Sequence, residues 1–267
     1  MLVPNRLTTR FEEVRARREA VLIGYLMVGD PDVPQTLEYA RALETAGIDA
    51  LELGIPFSDP IADGAVLQAA HQRALRNNIN VHTLFQFVRD FRKISSLPIV
   101  LATYYNPVFK LGEEAFARRC SEAGVDGVII ADLPIEEAGP WVNQARKYGL
   151  SRVFSVTPET QNERVKAICE YASGFLYLAS RYGPTGVQEE LSPTALPLIE
   201  RVRPLLPSDL KLAIGLGFST RHHVESVVRA GTDGVVIASA LAARVADGIP
   251  PEELINYVRD LKNSTRL

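Results

Sequence analysis

Cysteine is scarce in this chain, with two in 267 residues, Cys120 and Cys169. They stand 49 positions apart, each in a helix-like pattern, and read as buried thiols of a reducing compartment rather than as a structural disulfide. Histidine is also rare, at 71, 82, 222 and 223, and its spacing matches no zinc-ligand pattern, so no metal site is expected. His222 and His223 are adjacent, cannot share a helix face, and read as a solvated helix start. The six lysines (93, 110, 147, 166, 211 and 262) all miss the ends of the strand-like runs, which argues against a Schiff-base aldolase. No Gly-x-Gly-x-x-Gly follows the first apolar run, which weakens a dinucleotide-binding fold. No apolar run reaches membrane-spanning length, and Met1–Arg18 carries five arginines in place of a signal-peptide core. With 29 basic and 32 acidic residues and a net charge of −3, no long run of either sign offers a nucleic-acid surface. A soluble cytoplasmic protein with neither a nucleic-acid nor a membrane partner is expected.

Apolar residues make up 46% and charged residues 23%, enough for a full core. Eight β-rich runs recur: 21–28, 48–53, 98–104, 125–131, 152–156, 174–179, 210–215 and 234–239. Most are continuous in Val, Ile, Leu and Ala with little alternation, as parallel strands covered by helices require. Helical patterns lie between them, at 33–46, 113–123, 136–148 and 220–230. Extra helical material sits at 65–77 with 83–94, at the C-terminus, and at the N-terminus, where Thr9-Arg10-Phe11-Glu12 reads as a capping box. Three segments repeat one design, Ala46-Gly47-Ile48-Asp49, Ala123-Gly124-Val125-Asp126 and Ala230-Gly231-Thr232-Asp233. In each, Gly ends a helix in the left-handed conformation, Asp turns the chain and a buried strand begins. Eight such units fit an α/β fold of the (β/α)8 (TIM) barrel type, one domain over residues 1–267, with extra helices at the N-terminus and after strand 2.

Chemistry in a barrel gathers where the strands end. Glu52 closes the second apolar run, and Asp63 stands before an Ala-rich helical run eleven residues on. An acid in an apolar strand is costly to bury unless it is paired or its proton is used. Two carboxyls facing one pocket from different surroundings hold their protons differently, as acid–base work requires. Two plainer readings stay open: Asp63 as a helix N-cap, and Glu52 as a satisfied core acid. Tyr25, Tyr104 and Tyr177 fall at or near other strand ends, and core packing is the alternative for Tyr177. Gly215-x-Gly217-x-Ser219 and Ala238-Ser239 precede helices and present free backbone N–H groups, which favour a phosphate.

The run Glu52-Leu53-Gly54-Ile55-Pro56-Phe57-Ser58-Asp59-Pro60-Ile61-Ala62-Asp63-Gly64 resembles the signature of the tryptophan synthase α subunit family. The likeness spans nearly the whole chain and includes Val28-Gly29-Asp30-Pro31, Thr103-Tyr104-Tyr105-Asn106-Pro107, Ala131-Asp132-Leu133-Pro134 and the Ser180–Gly186 loop. The resemblance implies retro-aldol cleavage of indole-3-glycerol phosphate to indole and glyceraldehyde 3-phosphate. It implies Glu52 as acid–base catalyst, Asp63 holding the indole N–H, Tyr177 as a third catalytic residue that also lines the pocket, and Tyr104 and Tyr25 lining it beside them. Tyr25 stands where the family usually has Phe. Thr185 and Gly186, in a loop resembling a mobile lid, would bind substrate together with Gly215, Gly217, Ala238 and Ser239; position 238 is usually Gly in the family. It further implies an α2β2 assembly in which a β subunit holds pyridoxal phosphate and receives indole, meeting this chain near Pro56–Asp59 and Asp132–Pro134. The chain itself needs no cofactor on that reading. Two alternatives remain: a stand-alone lyase making indole for another pathway, and a non-catalytic partner that only activates β.

Overall fold

A computed structural model describes residues 5–179, 191–215 and 220–266. Eight parallel strands pair in chain order and close: β1 (Val21–Met27), β2 (Ala50–Gly54), β3 (Ile99–Thr103), β4 (Gly127–Ile130), β5 (Ser151–Val156), β6 (Phe175–Ala179), β7 (Lys211–Gly215) and β8 (Gly234–Ile237), with β8 returning to β1. Helices connect them on the outside: α1 (Arg6–Ala16), α2 (Val33–Ala46), α3 (Ala65–Arg76), α4 (Val81–Arg92), α5 (Tyr105–Leu111), α6 (Glu113–Ala123), α7 (Gly139–Lys147), α8 (Asn162–Tyr171), α9 (Ala195–Val202), α10 (Arg221–Arg229), α11 (Ser239–Ala246) and α12 (Pro251–Asn263). This is the expected (β/α)8 barrel, and the extra helices stand where expected: α1 before the first strand, and both α3 and α4 after β2. Among the described residues, no helix is long and apolar enough to cross a membrane.

The strands bury both faces because each serves two cores. Leu22, Leu51, Leu53, Leu101 and Val235 face the helices. Val21, Ile23, Ala50, Val100, Ile129, Val153, Phe175, Ala213 and Val236 fill the barrel itself. Leu7, Phe11 and Val14 of α1 join that inner cluster, so the amphipathic N-terminal helix plugs the bottom of the barrel. It starts one turn earlier than the Thr9–Glu12 box predicts. Asn5 is the cap: its Oδ1 accepts from the Thr8 N–H (3.1 Å), while its amide donates to the Asp126 carbonyl and Ser151 Oγ (both 2.8 Å). A tertiary anchor decides between two local caps of similar strength.

The three repeated turns do one job. Gly47, Gly124 and Gly231 have φ of 96°, 92° and 98°, as the left-handed end of a helix demands. Each following Asp then stitches its strand to the one before. The Asp49 carboxylate accepts from the Leu22 N–H, Asp126 from Ile99 and Asp233 from Leu212, all at 2.8 Å. Their own N–H groups donate back to the carbonyls of the same three residues. Each carboxylate also carries a cation: Lys262 on Asp49 (2.7 Å), Arg92 and Arg6 on Asp126 (both 2.9 Å), and Arg203 on Asp233. These acids lie at the N-terminal ends of the strands, leaving the opposite rim for chemistry.

Candidate active site

At the C-terminal rim the inward-facing positions change from aliphatic to polar and small. Alternation along the strands directs Tyr25 of β1, Glu52 of β2, Ala102 of β3, Ile129 of β4, Ser155 of β5 and Tyr177 of β6 into one cavity of about 390 Å³. Tyr25 and Glu52 are register partners on adjacent strands. Asp63, His71 and Tyr104 line it from the loops and helix above, and Ala238 lines it from just past the end of β8. The volume falls within the ~300–1,000 Å³ range of small-molecule sites. Ser155 is exposed although it points into the barrel, because it opens onto this space.

Glu52 is 5% exposed, and its Oε2 has no hydrogen-bond partner among the described residues. Burial, and then the charge of Asp63, push its carboxyl up from the ordinary 4.5 to about 8. At neutral pH it holds its proton.

Asp63 is not the cap of α3. Gly64 takes that position with φ −82° and ψ 172°, while the Asp63 carboxylate turns toward the cavity. Its Oδ2 accepts from the Tyr104 hydroxyl (2.8 Å) and meets His71 Nε2 (3.0 Å). The Tyr104 oxygen in turn accepts from the Ala62 N–H (3.1 Å), and its ring stacks on Phe57 (centroids 5.1 Å, 25°). Both contacts of the Asp63 carboxylate fall on Oδ2, and none of the described residues donates to Oδ1. Burial and the neighbouring carboxylates push the phenols of Tyr25, Tyr104 and Tyr177 well above their usual range, so all three are neutral O–H groups.

Two glycines exist for two of these rings. A Cβ on Gly54 would stand 2.2 Å from Tyr25 Oη, and one on Gly215 would stand 2.0 Å from Tyr177 Oη. Gly215 therefore packs against the Tyr177 phenol. Ala238 is on the wall with a negative φ of −111°, which an alanine adopts freely. Ser239 begins α11, and its buried Oγ has no partner among the described residues. Thr185, Gly186 and Gly217 lie outside the described residues, as do the rest of the lid-like loop and Leu216.

His71 was missed by sequence reasoning, which placed it in a helix without a role. It lies eight residues after Asp63, two helical turns along α3, and that spacing was the available signal. The pair His222-His223 is only half solvated: His222 is exposed, but His223 is 3% exposed. α10 is amphipathic and turns its third residue inward. Among the described residues, no group of three or more His, Cys, Asp or Glu is placed to hold a metal. Both cysteines are free, Cys120 buried and Cys169 half-buried.

A sequence model of the family described as tryptophan synthase alpha chain matches residues 11–266. The chain belongs to the tryptophan synthase alpha chain family. The tryptophan synthase alpha chain of Thermococcus kodakarensis is 44% identical over 247 residues, covering 92% of this chain and 97% of that one. That of Methanoregula boonei is 44% identical over 261 residues, covering 96% and 98%. Among solved structures, tryptophan synthase of Mycobacterium tuberculosis superposes with a TM-score of 0.91 at 35% identity over 99% of this chain and 100% of that one. A chain of the Pyrococcus furiosus tryptophan synthase complex superposes with a TM-score of 0.84 at 40% identity over 91% and 98%. As an alpha chain of this family, the protein is a lyase of tryptophan biosynthesis that cleaves indole-3-glycerol phosphate to indole and glyceraldehyde 3-phosphate.

Proposed function

We propose that Glu52 and Asp63 divide the retro-aldol cleavage between them. The observation that carries this reading is a protonated, poorly solvated carboxyl sharing one cavity with a carboxylate that receives no donor on one oxygen among the described residues. Asp63 Oδ1 accepts the indole N–H. The neutral Glu52 carboxyl gives its proton to ring carbon C3, which becomes tetrahedral and leaves a positive charge on the ring nitrogen beside Asp63. Glu52, now a carboxylate, takes the proton of the hydroxyl on the adjoining side-chain carbon. The C–C bond breaks, its electron pair returns to the ring, and the hydroxyl carbon becomes the aldehyde. The proton count closes on Glu52, ready for another turnover. Tyr25, Tyr104 and Tyr177 bound the ring with neutral phenols. The phosphate is assigned to the N-terminal end of α11, where Ala238 and Ser239 offer N–H groups and the Ser239 hydroxyl has no partner among the described residues. Thr185, Gly186 and Gly217 complete its cradle in this reading, and Gly215 serves by seating Tyr177.

These steps need proton transfers alone, so the chain works without a cofactor. Pyridoxal phosphate resides in the β subunit with which it forms an α2β2 assembly, met through Pro56–Asp59 and Asp132–Pro134. Residues 1–267 act as one cytoplasmic barrel domain. Turnover of indole-3-glycerol phosphate by the purified chain, with and without a β subunit, tests this. Slow turnover that rises when β is added is expected. Fast turnover by the chain alone would make it a stand-alone lyase, and none in either case a non-catalytic partner of β.

A further inference from the structure

His71 is 3% exposed and touches two groups of different kinds. Its Nδ1 lies 3.0 Å from the backbone N–H of Phe57, which can only donate, so Nδ1 must carry a lone pair. The proton of the neutral ring is then on Nε2, where it donates to Asp63 Oδ2 at 3.0 Å. Tyr104 donates to the same oxygen. Both donors fall on Oδ2 and so fix the rotation of the carboxylate. Phe57 closes the circuit: its amide holds His71, and its ring stacks on Tyr104. One residue of the Ile55–Asp59 turn thus supports both groups that orient Asp63. The solvent-facing end of that turn, Ser58 and Asp59, is exposed. Hydrogen bonds to a charged acceptor are the strong ones, and a group held by two of them from rigid elements is pre-organised.

We propose that His71, locked as its Nε2–H tautomer by the Phe57 amide, is a positioning residue that aims Asp63 at the indole nitrogen and ties that aim to the Ile55–Asp59 turn. This rests on the reading of Asp63 given above. Two variants separate the ring's two jobs. His71→Gln puts an amide donor near the place of Nε2 and keeps the bond to Asp63. His71→Asn puts an amide oxygen near the place of Nδ1 and keeps the bond from Phe57, but loses Asp63. The expected result is a fall in kcat of about 10- to 100-fold for His71→Asn, with rescue to within about 5-fold in His71→Gln. In the wild type, ¹⁵N NMR of the imidazole should report Nε2 protonated and Nδ1 bare. Thermal unfolding of both variants gives the structural control, and Asp63→Asn is assayed beside them. If both His71 variants retain wild-type kcat, or fall together in proportion to lost stability while Asp63→Asn is inactive, the positioning role is overturned and the role of Asp63 survives. An Nδ1-protonated ring overturns the proposal directly. A fully active Asp63→Asn overturns the reading of Asp63, and the role of His71 falls with it.

Discussion

Replacing Glu52 with Gln makes the folded protein more stable, by an amount that grows with pH. The carboxyl sits in the barrel mouth at 5% exposure, and burial together with the charge of Asp63 moves its ionisation from 4.5 to about 8. Between those values the unfolded chain has released a proton that the folded protein still holds. Stability therefore falls as pH rises through this window, by about 1.4 kcal/mol per unit, and levels off above about pH 8. At pH 7 the accumulated cost is about 3 kcal/mol. Glutamine has no proton to release, so it escapes the cost. Its amide still has to be accommodated where Glu52 Oε2 finds no partner among the described residues, which leaves an expected net gain of about 1 to 3 kcal/mol at pH 7. Urea unfolding of both proteins near pH 5, 7 and 9, followed by circular dichroism, measures the difference. It should be smallest near pH 5, clear at 7 and no smaller at 9. A variant no more stable than the wild type, or a difference that ignores pH, refutes the claim that Glu52 is protonated by its surroundings. A site that costs stability in order to hold a reactive proton is the trade expected of catalytic groups.

Four further outcomes follow from the same structure. Turnover in Glu52→Gln should drop by about 10²- to 10⁴-fold, and wild-type kcat/KM should fall above about pH 8, where the donor proton is lost; steady-state rates across pH check both. Gly215→Ala drives a methyl group into the Tyr177 phenol, which should cost about 1 to 3 kcal/mol, and Tyr177→Leu in the same chain should recover most of it; thermal melts decide. Asp126→Ala strips Arg92 of its carboxylate at the far end of the barrel and should cost about 3 kcal/mol with kcat unchanged, read from denaturation and rate assays together.

Much of this molecule is written in local pattern. Continuous apolar runs bounded by helices predict eight parallel strands, and the Ala-Gly-x-Asp turns predict where three of them start, because left-handed glycine and turn-forming aspartate act within a few residues. Val33–Ala46 and Glu113–Ala123 form helices over those same residues. The acids at 52 and 63 are also visible in the sequence, because a Glu in an apolar strand breaks a pattern that its neighbours obey. What the chain order could not decide is which neighbour each polar group meets. Asn5 outcompetes Thr9 as a cap through contacts with Asp126 and Ser151, more than 120 positions away. Asp63 leaves the helix cap to Gly64 because Tyr104 and His71 hold it elsewhere. Gly215, read as part of a phosphate turn, also has no room for a side chain beside a phenol on the neighbouring strand. Periodicity and turn chemistry are short-range and survive in one dimension. Hydrogen-bond partners, proton affinity and steric fit depend on the few ångströms between residues that only closure of the barrel brings together.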